Sequence, residues 1–188
     1  KLQLNEISSK VVSAKLGDEA VKTSLMAGAI GLVIVMLCMI VVYWIPGVAA
    51  ALALLLYVAA MLCFLNGLDV TLTLPGIAGI ILSVGMAVDA NVIIFTRIRE
   101  EIAAGKNVRE AIKIGFGKAL SAVIDGNITT LIAAAVLYLK GTGTIKGFAI
   151  TLALGIVLSM FTALVITRFV LMALYGIGFK DAKFYGKQ

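Results

Sequence analysis

Residues 75–99 read PGIAGIILSVGMAVDANVIIFTRIR. The apolar part of this run is long enough to cross the roughly 30 Å hydrocarbon core of a bilayer as a helix. One carboxylate, that of Asp89, lies within it among apolar and small residues. A charged Asp at the centre of a membrane helix costs about 2.5–3.5 kcal/mol on insertion scales, so Asp89 is the first candidate for a functional residue.

The composition extends this interpretation to the whole chain. Of its 188 residues, 62% are hydrophobic and 14% are charged, whereas a soluble domain is about half apolar and a quarter charged. The apolar residues are grouped in runs of about twenty, the length of one membrane span. The sequence therefore predicts an all-α, polytopic membrane protein built as a bundle of five transmembrane helices. The predicted spans cover residues 22–43, 48–65, 74–95, 119–139 and 147–167.

Residues 1–21 differ from this transmembrane domain, which we place at residues 22–188. Apolar residues alternate with polar ones between Leu2 and Val12 and predict a short strand, and Leu16-Gly17-Asp18 predicts a turn. We interpret residues 1–21 as a linker or the tail of an extracytoplasmic domain. Because the chain begins at Lys1 without a signal-peptide pattern, we expect it to be part of a longer polypeptide.

Charged residues separate the third predicted span from the fourth. Residues 97–118 combine them with apolar residues at helical spacing. The pattern predicts amphipathic cytoplasmic helices lying along the membrane surface. Asn107, three residues before Glu110, is typical of a helix N-cap and predicts that a second helical stretch begins here.

The positive charges are distributed unequally between the two sides that five spans define. Most of them follow the third span or the fifth span. The positive-inside rule therefore predicts an extracytoplasmic N-terminus and a cytoplasmic tail at residues 168–188. The rule accounts for the formal charge of +6 without any binding of nucleic acid.

The third and fifth predicted spans carry small residues at every fourth position. The stripes include Gly79, Ser83, Ala87 in span three and Gly155, Ser159, Ala163 in span five. Small residues let helix backbones approach closely in lipid, where the hydrophobic effect does not drive helices together. We assign both stripes to packing, and we predict that the two helices are neighbours of each other or of an equivalent helix in a partner.

A second carboxylate, Asp125, lies in span four at a depth similar to that of Asp89. Each belongs to an Asp-x-Asn sequence, and Asp89 lies about 200° around its helix from the small stripe. The accompanying polar residues are Asn91, Asn127, Thr129 and Thr130. We interpret both acids as ion-relay candidates, and the alternative is a permanently protonated acid that is hydrogen-bonded for packing. No Lys or Arg lies in the middle of a span to pair with Asp89. Burial favours the neutral form of a carboxyl group and a nearby cation favours the charged form.

Enzymatic and metal-binding functions find no support in these residues. Neither Asp-x-Asn sequence has the Gly and Glu that follow in a calcium loop. Asp89 follows Met86-Ala87-Val88 rather than the Gly-x-Gly of intramembrane aspartyl proteases. The chain contains no His, the commonest metal ligand. We therefore predict a protein that is not an enzyme and holds no metal or organic cofactor.

Three long runs, in this order and spacing, strongly resemble the C-terminal membrane region of the SecD branch of the SecD/SecF protein-export family, in the resistance-nodulation-division superfamily. The resemblance covers nearly the whole chain. The runs are LPGIAGIILSVGMAVDANVIIFTRIREE, AIKIGFGKALSAVIDGNITTLIAAAVLY and KGFAITLALGIVLSMFTALVITR.

The resemblance implies a multi-pass protein of the bacterial plasma membrane. It implies a SecF partner, assistance to the SecYEG translocon and the SecA motor, and unfolded preproteins as substrates through an outer domain. Proton or sodium motive force would drive late steps of translocation, with H⁺ or Na⁺ as the coupling ion. The family's intramembrane acid falls on Asp89, and SecF is expected to bring an Asp and an Arg to face it.

Two alternatives and two departures accompany this resemblance. The chain could instead dock SecF as a scaffold without ion coupling, or belong to a small-molecule transporter of the same superfamily. The family usually has Glu where this chain has Thr96, and Pro where it has Thr144. A latch that used the Glu would be altered here, whereas neither departure affects Asp89.

Overall fold

The computed structural model describes residues 14–68, 73–178 and 181–185. The described residues form helices throughout, joined by short turns, and they contain five helices long and apolar enough to cross a membrane. The predicted five-span bundle is therefore confirmed. The elements are α1 (Ala14–Tyr43), α2 (Ile45–Gly67), α3 (Leu74–Ala103), α4 (Val108–Lys140), α5 (Thr144–Phe161), a π-helical segment (Thr162–Ile166), α6 (Thr167–Ile177) and a 3₁₀ turn (Ala182–Tyr185). The fifth span runs through α5, the π-helical segment and α6 without a break.

The first two spans are separated by a single residue. Trp44 has φ 54°, a left-handed conformation that ends α1, and Pro46 lies in the first turn of α2. The second helix then passes so close to the first that a side chain at Gly47 would overlap the carbonyl group of Met39. The predicted break between these spans is thus confirmed. The close approach of the two backbones requires a glycine at position 47, because any side chain there would overlap Met39.

The N-terminal part of the chain differs from the prediction. The strand expected between Leu2 and Val12 lies outside the described residues. The turn expected at Leu16-Gly17-Asp18 is wrong, because these residues belong to α1. A glycine inside a helix costs only about 1 kcal/mol, and the good helix formers on either side offset that cost.

Residues 97–118 do not form separate surface helices. Residues up to Ala103 continue α3, and α4 begins at Val108, where the Asn107 side chain accepts a hydrogen bond from the Glu110 backbone at 2.9 Å. The N-cap prediction is therefore confirmed, whereas the apolar residues of this segment are buried between the two helices. The residues that form this contact are Ile98, Ile102, Ile112 and Phe116.

A charge cluster and a glycine hold the two extensions together. Gly115 of α4 lies against Ile98 of α3 so closely that a Cβ there would be 2.6 Å from the Ile98 side chain. The buried Glu101 carboxylate accepts ion pairs from Lys106 and Lys118, each at 2.6 Å. The apolar residues that were expected to face the membrane surface are thus buried in a helical hairpin, formed by the end of α3 and the beginning of α4.

Arg99 joins three parts of the chain at the same end of the bundle. Its guanidinium donates to the Val42 carbonyl oxygen and lies 4.4 Å from the centroid of the Tyr43 ring. It also donates to the backbone carbonyl of Tyr185 at 3.4 Å. Burial, with a smaller contribution from Tyr175, raises the pKa of Tyr185 to about 12. The Tyr185 hydroxyl therefore stays neutral. The contacts of Arg99 hold the tail against the ends of α1 and α3.

The two small-residue stripes pack against each other. The Thr151 hydroxyl of α5 reaches the Gly76 carbonyl oxygen of α3 at 3.1 Å. A Cβ at Gly79 would lie 2.5 Å from that hydroxyl, and a Cβ at Gly155 would overlap the Ser83 side chain. The prediction that α3 and α5 are neighbours is confirmed, and their backbones approach where one partner is glycine.

We expect Gly155→Ala to lower the free energy of unfolding by about 1–3 kcal/mol, the usual cost of overpacking. The matched control is Gly31→Ala in α1, where no atom lies within 4 Å of the added Cβ. Because Ala favours a helix over Gly by about 1 kcal/mol, the control should be neutral or stabilising. Unfolding in detergent measures both, and equal effects of the two variants would contradict the packing described here.

Candidate ion-relay site

Asp89 lies on a face of α3 that the other described helices leave open. The residues one and two turns earlier on this face, Gly85 and Leu82, are exposed, and no atom lies within 4 Å of a Cβ built at Gly85. The Asp89 side chain is itself exposed, and among the described residues it has no hydrogen bond or ion pair. Its carboxylate is accessible to a group from outside the chain.

Asn91, two residues further along α3, is buried instead. Its amide nitrogen donates to the Ala87 carbonyl oxygen at 3.1 Å, and its amide oxygen accepts from the Thr167 hydroxyl at 2.9 Å. Thr167 is fully buried at the start of α6. A side-chain hydrogen bond between the third and fifth spans therefore lies within one turn of Asp89.

The partner of Asn91 follows directly after the π-helical segment Thr162–Ile166. The Thr167 hydroxyl carries one proton but has two acceptors, the Asn91 amide oxygen at 2.9 Å and the Thr162 carbonyl oxygen at 3.2 Å. The second acceptor is within reach because the π turn leaves that carbonyl close to Thr167. Single π turns inside α-helices are frequent at functional sites.

The polar residues of α4 are bonded within their own helix. The Asn127 amide donates to the Val123 carbonyl, the Thr129 hydroxyl to Asp125 and the Thr130 hydroxyl to Gly126, at 2.7, 2.9 and 3.2 Å. The Asp125 carboxylate is exposed. Although α3 and α4 are neighbours, no hydrogen bond between described residues joins this group to Asp89 or Asn91. The structure thus leaves the two acids as separate, outward-facing groups.

Sequence reasoning missed Tyr57. This fully buried residue of α2 forms a hydrogen bond of 2.6 Å with the Ser83 hydroxyl, which lies 2.7 Å from the Ile80 carbonyl oxygen. A lone hydroxyl within the apolar run of α2 is the signal that could have revealed it. The stripe of small residues in the fifth span extends, at the same four-residue spacing, to Thr167. Its position at the end of that stripe, matching Asn91 at the end of the other, indicates the hydrogen bond.

The arrangement presents two exposed carboxylates, and buried side-chain hydrogen bonds join α3 to the fifth span and to α2. No group of three His, Cys, Asp or Glu residues suited to a metal occurs in the described ranges. Five apolar spans, two of which carry an exposed acid, define a polytopic α-helical membrane protein.

Comparison with known proteins identifies the family. Residues 1–176 match the model of the family described as "Protein export membrane protein SecD/SecF, C-terminal". The chain belongs to this SecD/SecF family of protein-export membrane proteins.

Individual relatives agree with this assignment. The protein translocase subunit SecD of Acidaminococcus fermentans is 51% identical over 98% of this chain and 45% of its own length. SecD of Synechocystis is 48% identical over 89% of this chain and 36% of its own length. The crystal structure of SecDF from Thermus thermophilus, called a translocon-associated membrane protein, matches with a TM-score of 0.85 and 44% identity. The match covers 87% of this chain and 23% of the SecDF chain. The chain thus spans less than half the length of these relatives.

We expect Thr167→Val to lower the free energy of unfolding by about 1 kcal/mol, because the buried amide oxygen of Asn91 would lose its donor. Val keeps the shape of Thr, so the change tests the hydroxyl group alone. The control is Thr96→Val, whose exposed hydroxyl bonds only to the Val92 carbonyl of its own helix. Unfolding of both variants in detergent is the measurement, and a control as unstable as Thr167→Val would refute the assignment.

Proposed function

We propose that this chain is the membrane part of an export subunit that couples movement of H⁺ or Na⁺ through Asp89 to late steps of protein translocation. The observation that carries the proposal is the unpaired carboxylate on an exposed face of a membrane span. Membership of a family of protein-export membrane proteins supports it. Asp89 lies within the third span, about 9 Å along the helix axis from Phe95, where the predicted span ends, at about 1.5 Å per residue.

The missing cation comes from a partner in this proposal. The opposite face of α3 is occupied by α5, so only the face with Leu82, Gly85 and Asp89 remains open. A SecF helix on this face would bring an Arg and an Asp to the carboxylate. The open space beside Gly85 allows a helix to approach, because close approach in lipid depends on small residues. The SecYEG translocon, SecA and unfolded preproteins would be the further partners.

The hydrogen bond between Asn91 and Thr167 gives Asp89 a route to the fifth span. A cation attracts the ionised carboxylate and loses that attraction when the acid is neutralised. A small rotation of α3 would then move Asn91 away from Thr167, whose hydroxyl can donate to the Thr162 carbonyl instead. The carbonyl of the π-helical segment thus keeps the Thr167 hydroxyl hydrogen-bonded when Asn91 moves away.

Asp125 serves as a second relay group in this proposal. Asn127, Thr129 and Thr130 donate to backbone carbonyls, which leaves the Asp125 carboxylate free for an ion or for a partner. The N-terminus is extracytoplasmic and the C-terminus cytoplasmic. The cationic residues around Arg99 and Lys106 would then lie on the cytoplasmic side, as the positive-inside rule requires.

We expect Asp89→Asn, in the full-length protein with its SecF partner, to reduce export to the rate measured without an ion gradient. The variant keeps the shape of the side chain but removes its titration, so the complex should assemble normally. Asp181→Asn is the matched control, because Asp181 is exposed in the tail outside the spans. Export of a preprotein into membrane vesicles, with and without the gradient, measures both variants.

The same assay separates ion coupling from a scaffold function. A scaffold would tolerate Asp89→Asn, whereas Gly85→Leu would weaken its contact with SecF because the exposed face could no longer be approached closely. Unchanged gradient-dependent export in Asp89→Asn would reject the ion-coupling proposal. Infrared spectroscopy of the carboxyl group across the working pH range gives an independent test, because a carboxyl that never changes its protonation state cannot relay protons.

A further inference from the structure

A second candidate site lies between the beginning of α4 and α6, on another part of the molecule from Asp89. It is a cavity of about 380 Å³. Its walls include Arg109, Glu110 and Lys113 from α4 and Arg168 and Met172 from α6, with the buried Ile112 below them. The beginning of the fourth span and the end of the fifth span thus contribute charged groups to one concave surface.

The cavity carries an excess of positive charge. Three cations line it, Arg109, Lys113 and Arg168, and they outnumber the one carboxylate among the lining residues, that of Glu110. None of the three cations forms a hydrogen bond or an ion pair with another described residue. The neighbouring cations differ, since Lys106 and Lys118 are both paired with Glu101. Among the described residues, the three cavity cations thus lack the acidic partner that Lys106 and Lys118 have.

The position of Arg168 is set by a contact with an aromatic ring. Its guanidinium carbon lies 5.9 Å from the centroid of the Phe116 ring, within the distance of a cation–π contact. Phe116 is buried in the core between the α3 and α4 extensions. The contact holds the planar guanidinium at the cavity, where its N–H groups can bind two oxygens of a phosphate at once.

We propose that this cavity binds the phosphate of an anionic phospholipid headgroup. Three unpaired cations match a phosphodiester, and basic pockets at the ends of membrane helices are typical headgroup sites. The lipid is favoured over free phosphate because apolar surface adjoins the charges. Phe169, the residue after Arg168, is 75% exposed and can contact an acyl chain. The proposal does not depend on ion coupling at Asp89.

The test uses the full-length protein with its partner subunit in neutral detergent, titrated with phosphatidylglycerol and followed by native mass spectrometry. The double variant Lys113→Gln with Arg168→Gln should bind the lipid about 30-fold more weakly, at about 1 kcal/mol per cation. The matched control, Arg97→Gln with Lys183→Gln, removes the same charge from exposed positions outside the cavity. It should change the affinity less than about 3-fold, because neither side chain lines the cavity and the attraction of a charge is screened with distance. Both variants should unfold at the temperature of the wild type in phosphatidylcholine, because all four side chains are exposed.

Two results would overturn the proposal. Equal loss of affinity in both double variants would show that the lipid responds to general surface charge and not to this cavity. Displacement of the lipid by inorganic phosphate at equal concentration would show that free phosphate is the ligand. Arg168→Lys should weaken the binding less than Arg168→Gln, because it keeps the charge although it loses the planar fork.

Discussion

The close parallel contact between α3 and α5 is the constraint on which the rest of the bundle depends. In hydrocarbon, helices gain no hydrophobic stabilisation from each other, so they associate where their backbones can approach. Glycine on one helix opposes a hydroxyl on the other at two levels, Gly79 with Thr151 and Gly155 with Ser83. A third level adds the hydrogen bond of Asn91 with Thr167. Both helices run in the same direction, so the repeat of four residues brings the two glycine levels together. Asn91 reaches one turn further along the fifth span, to Thr167 rather than Ala163.

This contact also determines where Asp89 points. The face of α3 that carries Ser83 and Asn91 packs against α5. Asp89 lies about half a turn around the helix from this face and therefore points outward. The packing stripe and the acid therefore share one helix without competing for the same surface. The other end of α3 is fixed as well, by Arg99 on the Val42 carbonyl and by Glu101 on two lysines.

The sequence was sufficient for the features that depend on local chemistry. Hydropathy gave the five spans, Asn107 gave the start of α4, and the spacing of small residues gave the contact of α3 with α5. It was insufficient where the contact is between distant residues. Nothing in residues 97–118 alone shows that Ile98 packs against Gly115. Because of this contact, the apolar side chains of the segment pack against a second helix and not against the membrane surface. The same holds for the hydrogen bond of Tyr57 with Ser83, because either residue alone is compatible with an apolar span.

The two acids need different explanations, although the sequence treats them alike. Around Asp125 the amide and hydroxyl groups donate to carbonyls of their own helix, and none of these bonds reaches another described helix. Asp89 instead adjoins Asn91, whose hydrogen bond crosses to the fifth span. Removing the charge of a membrane carboxylate changes its free energy by several kcal/mol, far more than one hydrogen bond between membrane helices contributes. In the proposed mechanism, a change of state at Asp89 would be large enough to rearrange the bond of Asn91 with Thr167. The polar side chains around Asp125 form no comparable bond to another described span.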